Sequence, residues 1–101
     1  MIIGKLYQIK QYYWVVYPSK DIAEVAPTAL LDAESLAADH ATYLSKQFNC
    51  NISYIPENNI FCLIEQDRDY LKVLSSNGEI GWMIYPENEE WTKGCIEEVK
   101  Q

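Results

Sequence analysis

The chain has a single histidine, His40, and three cysteines, Cys50, Cys62 and Cys95. An imidazole beside a thiol is the smallest set that performs nucleophilic catalysis, because it favours the thiolate that attacks. His40 with Cys50 is the nearest such pair in the sequence. Their spacing does not bring the groups together, and His40 falls on or beside the apolar stripe of a helix, where a packed or capping imidazole is the ordinary case. The cysteines are odd in number and include no C-x-x-C pair. They read as free thiols acting as small hydrophobes. Glu65, Asp67 and Asp69 in "EQDRD" alternate like part of a calcium loop, but the glycine and distal glutamate of such a loop are missing. A solvated turn explains them. Glu87, Glu89, Glu90, Glu97 and Glu98 form a charged rim of the kind that keeps a strand edge soluble, or that steers a basic partner. General acid–base work needs one carboxyl in an apolar pocket, and these glutamates sit among polar neighbours. The four glycines are scattered, so no loop cradles phosphate. The expectation is a non-enzymatic protein with no cofactor and no metal.

Aromatic residues make up 13% of the 101-residue chain, and eight are tyrosine. They concentrate in "KQYYWVVYPSK", residues 10–20. Tyrosine pairs an apolar ring with a polar tip, which suits both half-buried strands and binding surfaces. Along this stretch Tyr7, Ile9, Tyr13, Val15 and Tyr17 fall on one face of an extended strand and read as core. Gln8, Lys10, Tyr12, Trp14 and Val16 fall on the other, a mixed face that leaves Tyr12 and Trp14 as outward rings. Gln11 interrupts the alternation, which predicts a bend or bulge near Lys10-Gln11.

The remaining elements follow from period and punctuation. Pro18 stops the first strand, and "SKDIAEVAPT" reads as a connection. A helix follows over "AESLAADHATYLSKQF", started by Asp32 or by Thr28 and stopped at Asn49. Its stripe is Leu36, Ala37, His40, Ala41, Tyr43, Leu44 and Phe48. The period then changes to two: "CNISYI", "IFCLIE", "YLKVLS", "IGWMIY" and "CIEEV" are strands. "PENN" and "QDRD" are turns, and Asn77-Gly78 is a hairpin signal of the type that takes positive φ at both central residues. "ENEEWTKG" is a loop or a single helical turn.

One domain is expected at this length, with a modest core. Fifteen acidic residues against eight basic give a net charge of −7, which repels phosphate backbones and anionic membranes. Residues 1–20 nevertheless hold Lys5, Lys10 and Lys20 and no acid. The start at Met1-Ile2-Ile3-Gly4 shows no signal-peptide pattern, and no apolar run is long enough to span a membrane. A soluble, cytoplasmic protein is expected.

The run "NISYIPENNIFCLIEQDRDYLKVLSSNGEIGWMIY" resembles a bacterial SH3-type or KOW-like small barrel: strand, turn, strand, acidic turn, then Y-x-K-V and N-G-x-I-G-W. The resemblance covers about half of the chain. It implies a mainly β, α+β fold in which one domain, residues 1–101, forms an SH3-like barrel. The resemblance departs from a plain SH3 domain in one place, a helix inserted between the first and second strands at about residues 18–48. It also implies that Gly81 admits a neighbouring backbone and that Trp82 covers the barrel. The family's peptide groove uses first-strand aromatics, a Trp opening the third strand and a Pro-x-x-Tyr after the Gly-Trp strand. Tyr7 stands at the first place, Tyr70 at the second and Tyr85-Pro86 at the third, so the groove is half present. The chain is also similar to short proteins of tailed phages, those infecting cyanobacteria above all. That likeness implies an accessory protein that binds a host protein in the host cytoplasm.

The function expected from these readings is a small interaction module that holds a protein or peptide partner through exposed aromatics: Tyr12, Trp14, Tyr70, Tyr85 and Trp91. A competing reading has single-stranded nucleic acid stacking on Tyr12 and Trp14 beside the N-terminal lysines. The net charge and the thin basic footprint argue against it. Surplus tyrosines also leave room for a homodimer.

Overall fold

Alternation over Leu6–Ile9 (β1) drives Tyr7 and Ile9 inward. The alternation then breaks as expected: Tyr12 takes a left-handed φ of 70° between β1 and the next strand, Tyr13–Val16 (β2). The computed structural model describes residues 1–26, 30, 31 and 33–100. Ser19 caps a short helix, Lys20–Val25 (α1), by accepting the Ile22 N–H at 3.3 Å, where the sequence suggested only a connection. Leu30–Leu31 (β3) leads to the main helix, Glu34–Phe48 (α2), which ends at Asn49 in the left-handed region. The two helix starts read from the sequence, Thr28 and Asp32, lie outside the described residues. Five strands follow: Ser53–Ile55 (β4), Ile60–Asp67 (β5), Tyr70–Ser75 (β6), Ile80–Ile84 (β7) and Ile96–Glu98 (β8). A single 3-10 turn, Glu90–Thr92, stands between the last two.

The strands form two antiparallel sheets, one of five strands in the order β7-β6-β5-β1-β8 and one of three in the order β3-β2-β4. The fold is therefore mainly β with helix, of the α+β kind. Two corrections follow. The expected insertion at 18–48 is larger, because β2 and β4 as well as the helices stand between β1 and its direct neighbour β5, and β2, β3 and β4 form the second sheet. "CNISYI" belongs to that second sheet as β4. The sheets also do not close on each other. An isolated bridge between Tyr17 and Trp82 joins them, with both N–H···O bonds at 2.7 Å.

Two cores result. The inner faces of the large sheet (Phe61, Leu63, Leu71, Val73, Met83) meet Trp14, Val16 and Ile55 of the small one. On the other side of the small sheet, Val15, Tyr17 and Ile52 pack against Ala41 and Leu44 of α2 and Ala23 of α1. β2 is thus buried on both faces, so the mixed face read from its sequence is not a surface. The α2 stripe is narrower than expected: Ala37, Ala41 and Leu44 are buried, while Leu36 and Tyr43 face solvent. Ser45 ties the helix to the small sheet, its hydroxyl accepting the Ile52 N–H at 2.9 Å.

Gly81 serves as the resemblance implied, whereas the Asn77-Gly78 hairpin turns in another way. A Cβ at Gly81 would lie 2.4 Å from Val16 Cγ1 and 2.9 Å from the Tyr17 carbonyl oxygen, so only glycine lets β2 cross β7 there. At the β6–β7 hairpin Gly78 has φ 88°, but Asn77 is not left-handed. The loop is a Ser75–Gly78 turn followed by a left-handed glycine, and it closes with Ser75 N–H on the Glu79 carbonyl at 2.8 Å.

Candidate functional site

Pro86 ends β7, and the chain turns back through the acidic stretch Glu87–Glu90 into the 3-10 turn. This turn is pinned from several directions. Thr92, fully buried, places its hydroxyl 2.8 Å from the Glu89 carbonyl and 3.1 Å from that of Pro86. The Tyr85 hydroxyl donates to the Thr92 carbonyl at 3.1 Å. Cys95 Sγ lies 3.3 Å from the Trp91 carbonyl, and the N-terminal ammonium pairs with Glu87 at 3.1 Å. A short turn held at this many points presents its middle residue in a fixed orientation. That residue is Trp91.

Trp91 lies nearly parallel to Trp14, ring centroids 6.5 Å apart, and Trp14 meets Tyr85 edge-on at 5.4 Å. Trp14 donates its indole N–H to the Gln11 carbonyl at 2.9 Å. The left-handed Tyr12 beside it lets the chain leave β1 and send Trp14 inward, and Tyr12 itself lies half-buried against the same core. The structure therefore gathers four of the five expected aromatics around one end of the first core, and it grades them by depth. Trp14 is 1% exposed and Tyr85 5%, while Trp91 is 43% exposed. The expectation that Trp14 and Tyr85 face outward is overturned, because both are needed to fill the space between the sheets.

Tyr70 is elsewhere. It packs half-buried on the second core, with Lys20 Nζ 5.9 Å from its ring centroid. Lys20 is engaged by Asp67 and Glu24, and its hydrogen bond with Asp67 raises the ammonium pKa and lowers that of the carboxyl. Tyr7, the place of the first groove aromatic, is buried and stacked on Phe61. The stacking platform of the nucleic-acid reading is lost as well. Trp14 is sealed, and of the three N-terminal lysines Lys20 is held in ion pairs.

The His40 ring lies near Tyr43, and its Nε2 is buried with no hydrogen-bond partner among the described residues. Burial pushes the Cys95 thiol pKa up, away from a reactive thiolate. Burial likewise raises Tyr85, helped by the nearby Cys95 and Glu87. Among the described residues no group of three or more His, Cys, Asp and Glu is placed to hold a metal ion. A groove of about 450 Å³ between α2, β4 and the β6–β7 hairpin is lined by both apolar and polar side chains, among them Ala38, Thr42, Tyr54, Ile55, Asn77 and Glu79. Neither His40 nor any cysteine lines it.

The charges around Trp91 complete the site. Glu87 and Glu89 are exposed on the approach, and Glu90 pairs with Lys93 at 2.9 Å on the surface. Reading for rings missed a second exposed feature, the aliphatic side chains Leu6, Leu74 and Ile80 on the outside of the large sheet. Two-residue alternation already placed them opposite the core positions Tyr7, Val73 and Gly81. No helix among the described residues is long and apolar enough to cross a membrane. Compared with known proteins, the chain matches no family model, no curated protein and no solved structure.

Proposed function

We propose that the protein is a non-enzymatic interaction module of SH3-like descent. In this reading it holds a protein or peptide partner on Trp91, inside the acidic rim of Glu87, Glu89 and Glu90. The observation that carries this reading is one exposed indole fixed on a pinned turn and backed by a buried second indole. Such a ring loses little freedom when a partner covers it, and rigid aromatic anchors of this kind dominate binding energy in interfaces. The surrounding carboxylates favour a partner segment that carries Lys or Arg beside an apolar or proline residue.

The SH3-like assignment is supported by the three-stranded meander β5-β6-β7, by β1 lying directly beside β5 across the insertion, and by the Gly81-Trp82 pair at a backbone crossing. The helix-bearing insertion between β1 and β5 is a departure from a plain SH3 domain. A phage accessory protein acting on a host protein fits the same surface.

The test is capture from host lysate followed by titration of the purified partner against the wild type and Trp91→Ala. A loss of about 30-fold or more, equal to roughly 2 kcal/mol, is expected for the variant. A change of less than threefold, with the fold intact by circular dichroism, refutes the reading.

A further inference from the structure

β4 is a free edge of the small sheet, since the order β3-β2-β4 gives it β2 as its one neighbour. Its residues Ser53, Tyr54 and Ile55 stand opposite Val16, Val15 and Trp14. In an antiparallel ladder such pairs alternate between those that exchange both N–H···O bonds and those that exchange none. Trp14–Ile55 must be the bonded kind, because the other kind would draw on the N–H of residue 56, a proline. Val16–Ser53 is then bonded too, and Tyr54 between them turns its N–H and C=O away from β2. Neither group has a hydrogen-bond partner among the described residues. The edge is closed on both sides of it. The Ser45 hydroxyl accepts the Ile52 N–H at 2.9 Å and donates to the Ile52 carbonyl at 3.2 Å. The Pro56 carbonyl accepts the Asn59 N–H at 3.2 Å. Sheet edges are blunted by short strands and coverings of this sort, and here one residue is left open.

The space beside that residue has the shape of a missing strand. The small sheet is the middle layer, with the large sheet on one face and the helices on the other. Where it ends at β4, the outer layers leave the groove of about 450 Å³, walled by Ala38 and Thr42 of α2 and by Asn77 and Glu79 of the hairpin. Tyr54 lines this groove and no residue of β2 does, so it opens on the side to which the Tyr54 N–H and C=O point. The helix wall is low, and Thr42 turns its hydroxyl back to the Ala38 carbonyl at 2.9 Å. Among the described residues Glu79 is the one charged side chain on the lining. We propose that this groove is a second binding site, which takes an extended segment of a partner polypeptide as a fourth strand beside β4. A peptide backbone is the occupant because the floor offers one N–H and one C=O spaced as in a strand, and main-chain bonds of this kind give such additions their affinity. Charge selects among such segments. The Glu79 carboxylate, on a chain of net charge −7, favours a segment that carries Lys or Arg and disfavours an acidic one. A single open residue also keeps the edge from propagating into a longer sheet. The groove shares no lining residue with the Trp91 site.

Amide hydrogen exchange followed by heteronuclear NMR tests the edge in the free protein first. The Tyr54 amide is expected to exchange at least tenfold faster than those of Ser53 and Ile55. Peptides are then selected from a phage-displayed library of random dodecapeptides and synthesised with blocked ends. The expected binders carry Lys or Arg and slow Tyr54 amide exchange at least tenfold. Methylating the backbone nitrogen of one of their residues costs at least tenfold in affinity, and methylating that of the next residue less than threefold. Thr42→Trp, at an exposed helix position, fills the groove and removes binding. Glu79→Lys weakens it at least threefold, and Trp91→Ala leaves it unchanged. The proposal is overturned by a Tyr54 amide already protected in the free protein, by a library that yields no binder, or by binders that leave that amide unprotected. Binding lost in Trp91→Ala with the fold intact overturns it as well, and assigns the peptides to the other site. The exchange and methylation arms use the wild-type chain, so they decide the matter even if a variant fails to fold.

Discussion

Trp14 and Trp91 are stacked neighbours, yet their removal must have different consequences. Trp14 is almost fully buried, touches Tyr85 and Trp91, and bonds the Gln11 carbonyl. Truncating a buried tryptophan to alanine costs about 3–5 kcal/mol in lost transfer and residual cavity. The abandoned carbonyl adds about 1 kcal/mol unless water reaches it. A domain of this size has roughly 5–15 kcal/mol in total, so Trp14→Ala removes from a third to all of its stability. At about 4–8 °C per kcal/mol, the melting temperature falls by roughly 15–50 °C. Trp91 keeps nearly half of its surface in water, so Trp91→Ala costs about 1 kcal/mol and under roughly 8 °C. Thermal melts followed by far-ultraviolet circular dichroism measure both without relying on the deleted fluorophores. A Trp14→Ala protein that melts within 5 °C of the wild type refutes the core assignment. A Trp91→Ala protein that falls as far as Trp14→Ala refutes the depth order on which the binding site rests.

Gly81→Ala should destabilise by about 1–3 kcal/mol in urea titration, because the added methyl meets the Tyr17 carbonyl as well as the buried Cγ1 of Val16. A neutral outcome would mean that β2 and β7 do not cross so closely. Stability should also fall above about pH 10, the ordinary tyrosine value. Burial raises the pKa of Tyr17 and Tyr85 in the folded state, so the unfolded chain releases those protons first. The contribution is whole below pH 10 and is lost as pH rises through the folded values. Melts between pH 8 and 11 check this, and a flat profile would contradict the burial of those hydroxyls.

The element types were largely legible in the residues, and the reasons are local. Asn49 ends a helix because asparagine tolerates the left-handed conformation, and Gly78 turns a hairpin for the same cause. Two-residue alternation after Asn49 yields the strands β4 to β8. What alternation cannot say is which strand pairs with which, so β4 reads as a neighbour of β5 although it pairs with β2, and the insertion reads shorter than it is. The aromatic cluster at the candidate site was legible as a set of rings but not as an order of depth.

Composition and spacing alone determined that this acidic chain is mainly β with one long helix and that its turns lie at its asparagines and glycines. Only the tertiary structure decided that a second sheet, inserted after β1, lies over the first. A strand pattern specifies two faces but not whether both are covered. Coverage depends on contacts between residues far apart in the chain, and that is why Trp14 is core while Trp91 is left for a partner.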